Sequence, residues 1–381
     1  MPLSTSNFKG KLRLPRFFFA RPDEIAPREH ERPIPPLPWR GLTVIVVLIV
    51  FSAVLAWEFY CRSVGYGVSL NDNEDLWTMA RRKVKPESIV IIGDSRAWFD
   101  LDLDELQSGF GQRPIQLALA GSCGYPVLAE LARDETFHGT IICGIVPRLF
   151  FAPPGTPPME RTVKAVHRSH AQTLAQRASE YLAIPLEEHA AFLKQADLTL
   201  EQLLIRLNLP DRPGALVPPR LPPYFQTVDR ERRARMIEAC AQPGPLQNSI
   251  QQIWLPLFTP PPPPTFVPPD VFKAKMQEAV ANRFRDIAAS VEKLRARGGK
   301  IVFVRFPHSG GLKELEDRDS PRSRTWDPLL QGTKAPGIYY SDFPELATFP
   351  CPEWSHLSAG DSVEFTRRLV PHLRQALQSE R

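Results

Sequence analysis

A run of residues without a single charged side chain, residues 41–57, limits what this chain can fold into more than any other feature. As an α-helix, this run would span roughly 25 Å at a 1.5 Å rise per residue. Trp39 on one side and Tyr60 on the other extend it to about the 30 Å thickness of a bilayer's hydrocarbon core, with aromatic anchors at both ends. The sequence therefore predicts a transmembrane helix over residues 41–60. The alternative, a buried core helix, would normally carry one polar face.

The segment before this helix is basic and rich in proline. Residues 1–40 contain eight Lys or Arg against four acids, and eight of the chain's 41 prolines. Basic flanking residues stay on the cytoplasmic side of a membrane, and no small-x-small cleavage site follows the apolar run. We therefore predict an uncleaved signal anchor of a single-pass bacterial inner-membrane protein, with residues 1–40 as a cytoplasmic tail and the C-terminal domain in the periplasm. A partner-binding role of the proline-rich residues 33–38 stays open beside that of a solvated spacer.

Charge and cysteine content exclude several function classes. Beyond residue 40 the chain has 39 basic and 38 acidic side chains, so the formal net charge of +5 arises almost entirely in the tail. This balance argues against nucleic-acid binding. The five scattered cysteines form no CxxC or Cys/His cluster, so we expect no disulfide framework, no metal and no cofactor. Cys123 and Cys143 lie in apolar surroundings and are predicted to be buried thiols.

The exported part alternates short apolar runs with helical stretches, which is typical of an α/β domain with a parallel sheet. We predict a linker over residues 61–87 and this domain over residues 88–381. Near-continuous apolar runs indicate strands covered on both faces, and these are predicted at residues 88–92, 115–119, 140–146, 300–305 and 337–340. Helices are predicted at residues 126–134, 269–297 and 359–377, the last with Ser358 as its N-cap.

Residues 151–268 interrupt this alternation. Of the 41 prolines, 21 fall in residues 151–270, and they separate helical patches such as residues 171–191 and 198–207. A proline run at residues 260–264 closes the segment. We interpret residues 151–268 as an insertion after the third strand that lies over the ligand end of the sheet, with a loose spacer as the alternative for its proline-rich parts.

Two short motifs carry chemistry. The first predicted strand ends in Gly-Asp-Ser-Arg at residues 93–96, and in an open parallel sheet ligands bind beyond the carboxyl ends of the strands. Near the other end of the domain, Glu353 precedes His356 by three residues. A serine hydroxyl needs a base, and the base needs an acceptor on its other nitrogen. Ser95, His356 and Glu353 can supply these three roles, while turn and surface roles remain the alternatives for each motif alone.

The domain resembles the SGNH (GDSL-like) hydrolase superfamily over residues 88–148 and 300–375. Gly121-Ser122-Cys123-Gly124 stands after the second strand, where the superfamily has its oxyanion glycine. The resemblance implies a three-layer, flavodoxin-like parallel sheet, with Ser95 as nucleophile, His356 as base, Glu353 in the position usually held by aspartate, and oxyanion or substrate-binding roles near Gly121 and Gly124.

One departure from the superfamily pattern concerns the segment after the third strand. The superfamily has GxND there, whereas this chain reads Gly-Ile-Val-Pro at residues 144–147 and so lacks the asparagine that donates to the oxyanion. Loss of one such donor typically costs about 10²–10³ in rate. Arg96 and Arg148 are the candidate substitute donors.

These features predict a membrane-anchored serine esterase or O-acyltransferase. Its substrate would be an acylated carbohydrate or another ester of the cell envelope, and envelope biosynthesis proteins are candidate partners beside the lipid bilayer. The alternative is a non-catalytic SGNH-like envelope protein that binds a glycan or a partner, which the missing asparagine favours.

Overall fold

A computed structural model describes residues 37–194, 198, 200, 204, 221–259 and 266–379. The tail up to residue 36, most of the helix predicted at residues 198–207 and the proline run at residues 260–264 lie outside the described residues. The chain divides into two compact units, Met1–Ala56 and Trp57–Arg381.

Helix α1 spans Trp39–Ser63 and contains the predicted membrane segment. Its 25 residues reach a mean hydropathy of 2.5 over the most apolar 18-residue window, and no residue of that window is buried. The helix is therefore long and apolar enough to cross a membrane, as the sequence predicts.

The second unit is built on a five-stranded parallel sheet in the order β2-β1-β3-β6-β7. The bounds of its strands are β1 Ile89–Ile92, β2 Ile115–Gln116, β3 Thr140–Gly144, β6 Lys300–Arg305 and β7 Gly337–Tyr339. All five predicted strands are present, although β2 is shorter than predicted. β2 lies on one side of β1, and β3 lies on its other side. This is the flavodoxin-like strand order, with its switch point between β1 and β3.

Helices cover both faces of this sheet. Alternate residues of one strand enter different core clusters: Ile91 packs in the cluster that contains Phe365, and Ile92 in the cluster that contains Val127. Every residue of β1 is buried. The domain therefore has the three layers that the continuous apolar strands predict.

The remaining described helices follow in chain order. They are α2 Glu74–Arg81, α3 Ser95–Phe99, α4 Leu103–Phe110, α5 Tyr125–Arg133, α6 Pro147–Phe150, α7 Pro157–Ala171, α8 Leu174–Glu187, α9 Glu238–Ala241, α10 Pro245–Phe258, α11 Pro269–Arg295, α12 Gly310–Asp319, α13 Arg322–Thr333, α14 Pro344–Ala347 and α15 Ala359–Gln378. Short 3₁₀ turns occur at Ala191–Leu193 and Tyr340–Asp342.

The three helices predicted from the sequence correspond to α5, α11 and α15. Ser358 caps α15 as expected, since its hydroxyl accepts a hydrogen bond from the amide of Asp361 at 3.1 Å. Cys123 and Cys143 are buried free thiols, also as predicted.

The segment before residue 88 belongs to the folded unit. Within it, α2 buries Trp77, whose indole N–H donates to the carbonyl of Leu117 at 2.9 Å beside the sheet. Residues 61–87 are therefore more than a linker, because the domain already uses them in its core.

The described part of residues 151–268 also packs against the domain. It contains α7 to α10 and an antiparallel hairpin of β4 Gln226–Val228 and β5 Ala234–Met236. The hairpin contributes Val228 and Met236 to the same core cluster as Ile91. In the other core cluster, α7 contributes Ala165, so the described part of this segment packs against both faces of the sheet.

Candidate active site

The carboxyl ends of β1 and β3 approach each other closely because three glycines lie there. A Cβ at Gly93 would stand 2.8 Å from the carbonyl oxygen of Gly144, and Gly93 has φ of +135°. A Cβ at Gly124 would stand 2.9 Å from Cα of Gly93. Gly124, a candidate substrate-binding residue, is buried in this backbone contact, where it allows α5 to begin against the end of β1.

Asp94 joins the two strand ends. One carboxylate oxygen accepts from the amide of Arg96 at 2.9 Å and so caps α3, and the other accepts from the amide of Val146 at 3.0 Å after β3. Burial raises the pKa of Asp94, against the opposing effect of the nearby Arg96 and Arg305 guanidinium groups. Asp94 therefore braces the loop that carries Ser95.

Ser95 is the first residue of α3 and is half-buried. Gly121 is exposed with φ of +61°, a conformation that glycine adopts without strain. Among the described residues, neither the amide of Ser95 nor that of Gly121 donates a hydrogen bond. Both amides are therefore available to an external acceptor.

Glu353 fixes the orientation of His356. The carboxylate oxygen Oε1 accepts from both the backbone amide and Nδ1 of His356, each at 2.7 Å. An ionised carboxylate only accepts, so Nδ1 carries the proton and Nε2 of the neutral ring is the acceptor. That tautomer is the one a general base requires.

The loop holding this pair is tight. Trp354 has φ of +81°, a region that residues with a side chain rarely adopt. Its indole stands against Gly310, where a Cβ would lie within 2.4 Å of Nε1. The turn from Glu353 to His356 is thus held by a strained residue that packs against the start of α12.

The other oxygen of Glu353 accepts hydrogen bonds from Trp254 and from the backbone of its own loop. Oε2 accepts from Nε1 of Trp254 in α10 and from the amide of Ser355 at 3.3 Å. Glu353 is fully buried and receives four hydrogen bonds. Trp254 was not a sequence candidate, yet it is a direct partner of the predicted acid.

His356 is enclosed by aromatic rings. Its ring stacks on Phe99 at a centroid distance of 4.3 Å, and Phe225 and Trp254 lie at 5.9 and 5.7 Å. We call Phe225 and Trp254, which both come from residues 151–268, the aromatic cover. Nε2 of His356 is buried and has no hydrogen-bond partner among the residues that the structure describes.

Ser95 belongs to α3, and the ring of His356 packs against Phe99 of the same helix, but no hydrogen bond joins the serine to the histidine. Ser95 and Phe99 are four residues apart and so occupy one face of α3. The structure thus contains the acid–base contact of the predicted triad and lacks the base–nucleophile hydrogen bond.

Both arginines considered as substitute oxyanion donors have hydrogen-bond partners elsewhere. Arg96 is 1% exposed; both terminal nitrogens donate to Glu316 of α12, and Nε lies 3.5 Å from Oγ of Ser355. Arg148 donates to the carbonyl of Thr259 at 3.1 Å. Arg96 therefore connects the loop of Ser95 to the loop of His356, and its charge is paired with the carboxylate of Glu316.

Glu316 is the centre of a buried charge cluster that sequence reasoning did not identify. It also accepts from Arg305 at the end of β6, and His308 lies 3.8 Å away. Although burial alone would raise it, the two arginines hold the pKa of Glu316 well below its usual range. Burial, with the same arginines, lowers the pKa of His308. The cluster joins α3, β6 and α12 beneath the candidate site.

Asp100, which follows α3, supports the histidine loop. Oδ1 accepts from the amide of Leu357 at 2.9 Å, while Oδ2 is buried without a partner in the described chain. Burial raises the pKa of Asp100 well above its ordinary value. The residue therefore anchors the backbone next to His356.

Comparison with known proteins gives no relative from which a function can be transferred. No protein-family model matches the chain, and no similar sequence is found among curated proteins. Identification of the site therefore depends on its own geometry.

Proposed function

We propose that this protein is a membrane-anchored serine esterase or O-acyltransferase of the SGNH type that acts on an envelope carbohydrate ester. Ser95 Oγ attacks the ester carbonyl carbon, and His356 Nε2 takes the hydroxyl proton. The proton then passes to the leaving oxygen as the ester bond breaks, which leaves an acyl-enzyme. Water or a sugar hydroxyl resolves the acyl-enzyme, with His356 again moving the proton.

The observation that carries the proposal is the pairing of Glu353 with His356. A fully buried carboxylate accepts from Nδ1 at 2.7 Å, which leaves Nε2 as the acceptor of the neutral ring, and no other described group uses that atom. A structural histidine would normally satisfy both nitrogens, since a buried unpaired polar atom costs about 1–3 kcal/mol. Position at the sheet's switch point, beside the turn that presents Ser95, supports the same conclusion.

Oxyanion stabilisation would come from the free amides of Ser95 and Gly121. Arg96 is left out of this role because Glu316 binds both of its terminal nitrogens, while Arg148 donates through one terminal nitrogen to the carbonyl of Thr259. With two donors instead of three, we expect a slower acylation than the superfamily pattern would give.

The proposal includes a movement of the aromatic cover. Nε2 of His356 must reach Ser95 Oγ, and in the described conformation Phe225 and Trp254 enclose the ring. Placement of the domain in the bacterial periplasm, tethered by α1, rests on the basic residues that precede the helix.

The second candidate function is binding without catalysis. It is favoured by one specific observation: the serine and the histidine share no hydrogen bond, and the ring is sealed from solvent. In that case the domain would hold an envelope glycan or a protein partner.

A fluorophosphonate serine probe on the full chain in detergent separates the two functions. We expect labelling of the wild type, with loss in Ser95→Ala and in His356→Ala. Trp254→Phe keeps an aromatic ring but removes the N–H bond to Glu353, so the cover opens more easily and labelling should be faster. Absence of labelling in both the wild type and Trp254→Phe, with folding verified by circular dichroism, would refute catalysis.

A further inference from the structure

Helix α8 has its polarity reversed relative to an ordinary surface helix. Its acids face the protein: Glu187 is buried and accepts from the amide of Asn71 at 2.8 Å, and Glu180 is buried and accepts from Nδ2 of Asn73 at 3.0 Å. A helix that packs on a protein in water normally turns its apolar face inward. The placement of both acids indicates that the outward side of α8 meets something less polar than water.

The outward face of α8 is a continuous apolar stripe. Leu174, Tyr181, Leu182 and Leu186 are 82%, 57%, 70% and 61% exposed. Their spacing, at positions 1, 8, 9 and 13 of the helix, places them on one side at 3.6 residues per turn. Ala175, Ala178 and Pro185 fall between them, so this arc carries no charge. We call these seven residues the α8 stripe.

The turn that follows α8 is bound to the end of α1. The carboxylate of Glu58 accepts from the amides of Ala191 and Phe192, each at 3.0 Å, and Arg62 donates to the carbonyl of His189 at 3.1 Å. Glu58 follows directly on the last residue of the apolar run at Trp57. Where α1 crosses a bilayer, Glu58 therefore lies at the bilayer surface by chain connectivity alone, and the turn after α8 lies there with it.

We propose that α8 is a membrane-docking helix whose stripe lies in the headgroup region of the leaflet from which residues 58–63 emerge. Monotopic helices of this kind bury their apolar face about 5–10 Å into the interface. The lipid surface is favoured over a protein partner because the hydrogen bonds to Glu58 and Arg62 hold the end of α8 at the membrane segment. This inference rests on α1 spanning the bilayer and is independent of any chemistry at Ser95.

The test uses the full chain in nanodiscs of phosphatidylcholine and phosphatidylglycerol, with a fluorophore at Leu182→Cys and a nitroxide-labelled lipid as quencher. All five native cysteines are buried, so labelling is directed to the introduced one, and the unsubstituted chain measures any background. Val271→Cys is the matched control, because Val271 is also an exposed apolar side chain, 40% exposed on α11.

We expect lipid quenching at Leu182 to exceed that at Val271 about threefold, since the stripe would lie at the boundary between headgroups and acyl chains. Equal quenching at the two sites would overturn the proposal. Shielding of Leu182 only in discs that hold two copies would overturn it as well, because a second chain would then cover the stripe.

A second measurement does not depend on a label. Hydrogen exchange of the α8 amides in discs should become faster in Leu182→Glu, which opposes insertion, and stay unchanged in Val271→Glu. Unchanged exchange in both variants would contradict docking by this helix.

Discussion

Replacement of Glu353 by glutamine tests the central contact of the candidate site. In the wild type each oxygen of the carboxylate accepts two hydrogen bonds, those from the amide and Nδ1 of His356 on Oε1 and those from Trp254 and the amide of Ser355 on Oε2. Glutamine has nearly the same shape but carries an NH₂ group at one of these positions. If the NH₂ group faces Trp254 and Ser355, two buried donors face another donor. If it faces His356, the backbone amide does so, and the ring accepts at Nδ1 only after its proton moves to Nε2, which is the wrong tautomer for a base.

The expected cost follows from this count. Leaving a buried donor unsatisfied costs about 1–3 kcal/mol, so that one or two of them give a loss of roughly 1–6 kcal/mol in the free energy of unfolding. Domains of this size are typically stable by about 5–15 kcal/mol, so the effect would be large. Glu353→Gln should therefore unfold at a clearly lower urea concentration than the wild type, with an unchanged dependence on denaturant.

The assay is urea unfolding of the full chain in detergent, followed by tryptophan fluorescence. Glu345→Gln is the matched control: Glu345 also pairs with a histidine, at 2.8 Å from Nε2 of His372, but at the surface. Exposed pairs contribute little, so the control should unfold close to the wild type. If Glu353→Gln unfolds at the same midpoint as Glu345→Gln, the four-bond arrangement at Glu353 is refuted.

Three further predictions concern buried residues around the site. Asp100→Asn should increase stability at neutral pH. Because the folded-state pKa of Asp100 is raised, the folded chain keeps a proton that the unfolded chain loses above about pH 4, and wild-type stability falls as the pH rises from there. Urea midpoints of the asparagine variant should not show this fall. Glu316→Gln should lower the free energy of unfolding by about 3–5 kcal/mol at neutral pH, because it leaves two buried arginines unpaired. Since the folded-state pKa of Glu316 is lowered, the difference in stability from the wild type should shrink as the pH falls below about 4.3. A stability difference that does not depend on pH would contradict this prediction. Gly124→Ala should destabilise the fold, because its Cβ would lie 2.9 Å from the backbone of Gly93. The control Gly360→Ala, in open space within α15, should stabilise the fold by up to about 1 kcal/mol. Thermal unfolding compares the two variants, and equal shifts of their midpoints would contradict the prediction.

The strands and the long helices were predictable because their signals are local. Residues 300–305 read as a buried strand from six positions alone, and β6 has those bounds. Ser358 predicted the start of α15 because a cap depends only on nearby backbone. The short α3 was not predicted, because its five residues form little more than one turn and show no repeating apolar pattern. It forms because Asp94 caps it from a loop braced against β3.

Site residues divide in the same way. Glu353 and His356 were found because three residues separate them and the turn between them is local. Trp254 and Glu316 were not found, since they reach the site from positions 99 residues from Glu353 and 220 residues from Arg96 along the chain. Only the folded structure brings such partners together. The many prolines of residues 151–268 likewise gave no sign of the β4–β5 hairpin, which packs into the core.

The aromatic cover links the two proposals made for this protein. Trp254 holds Glu353 by a hydrogen bond, so any shift of α10 that uncovers His356 also releases one oxygen of the carboxylate. The released oxygen would still accept from the amide of Ser355, and the Nδ1 contact on Oε1 would be unaffected. The acid–base pair can therefore outlast opening of the cover. A base that keeps its tautomer while its cover moves is what a tethered enzyme needs if substrate enters from the membrane surface, where the α8 stripe would place the domain.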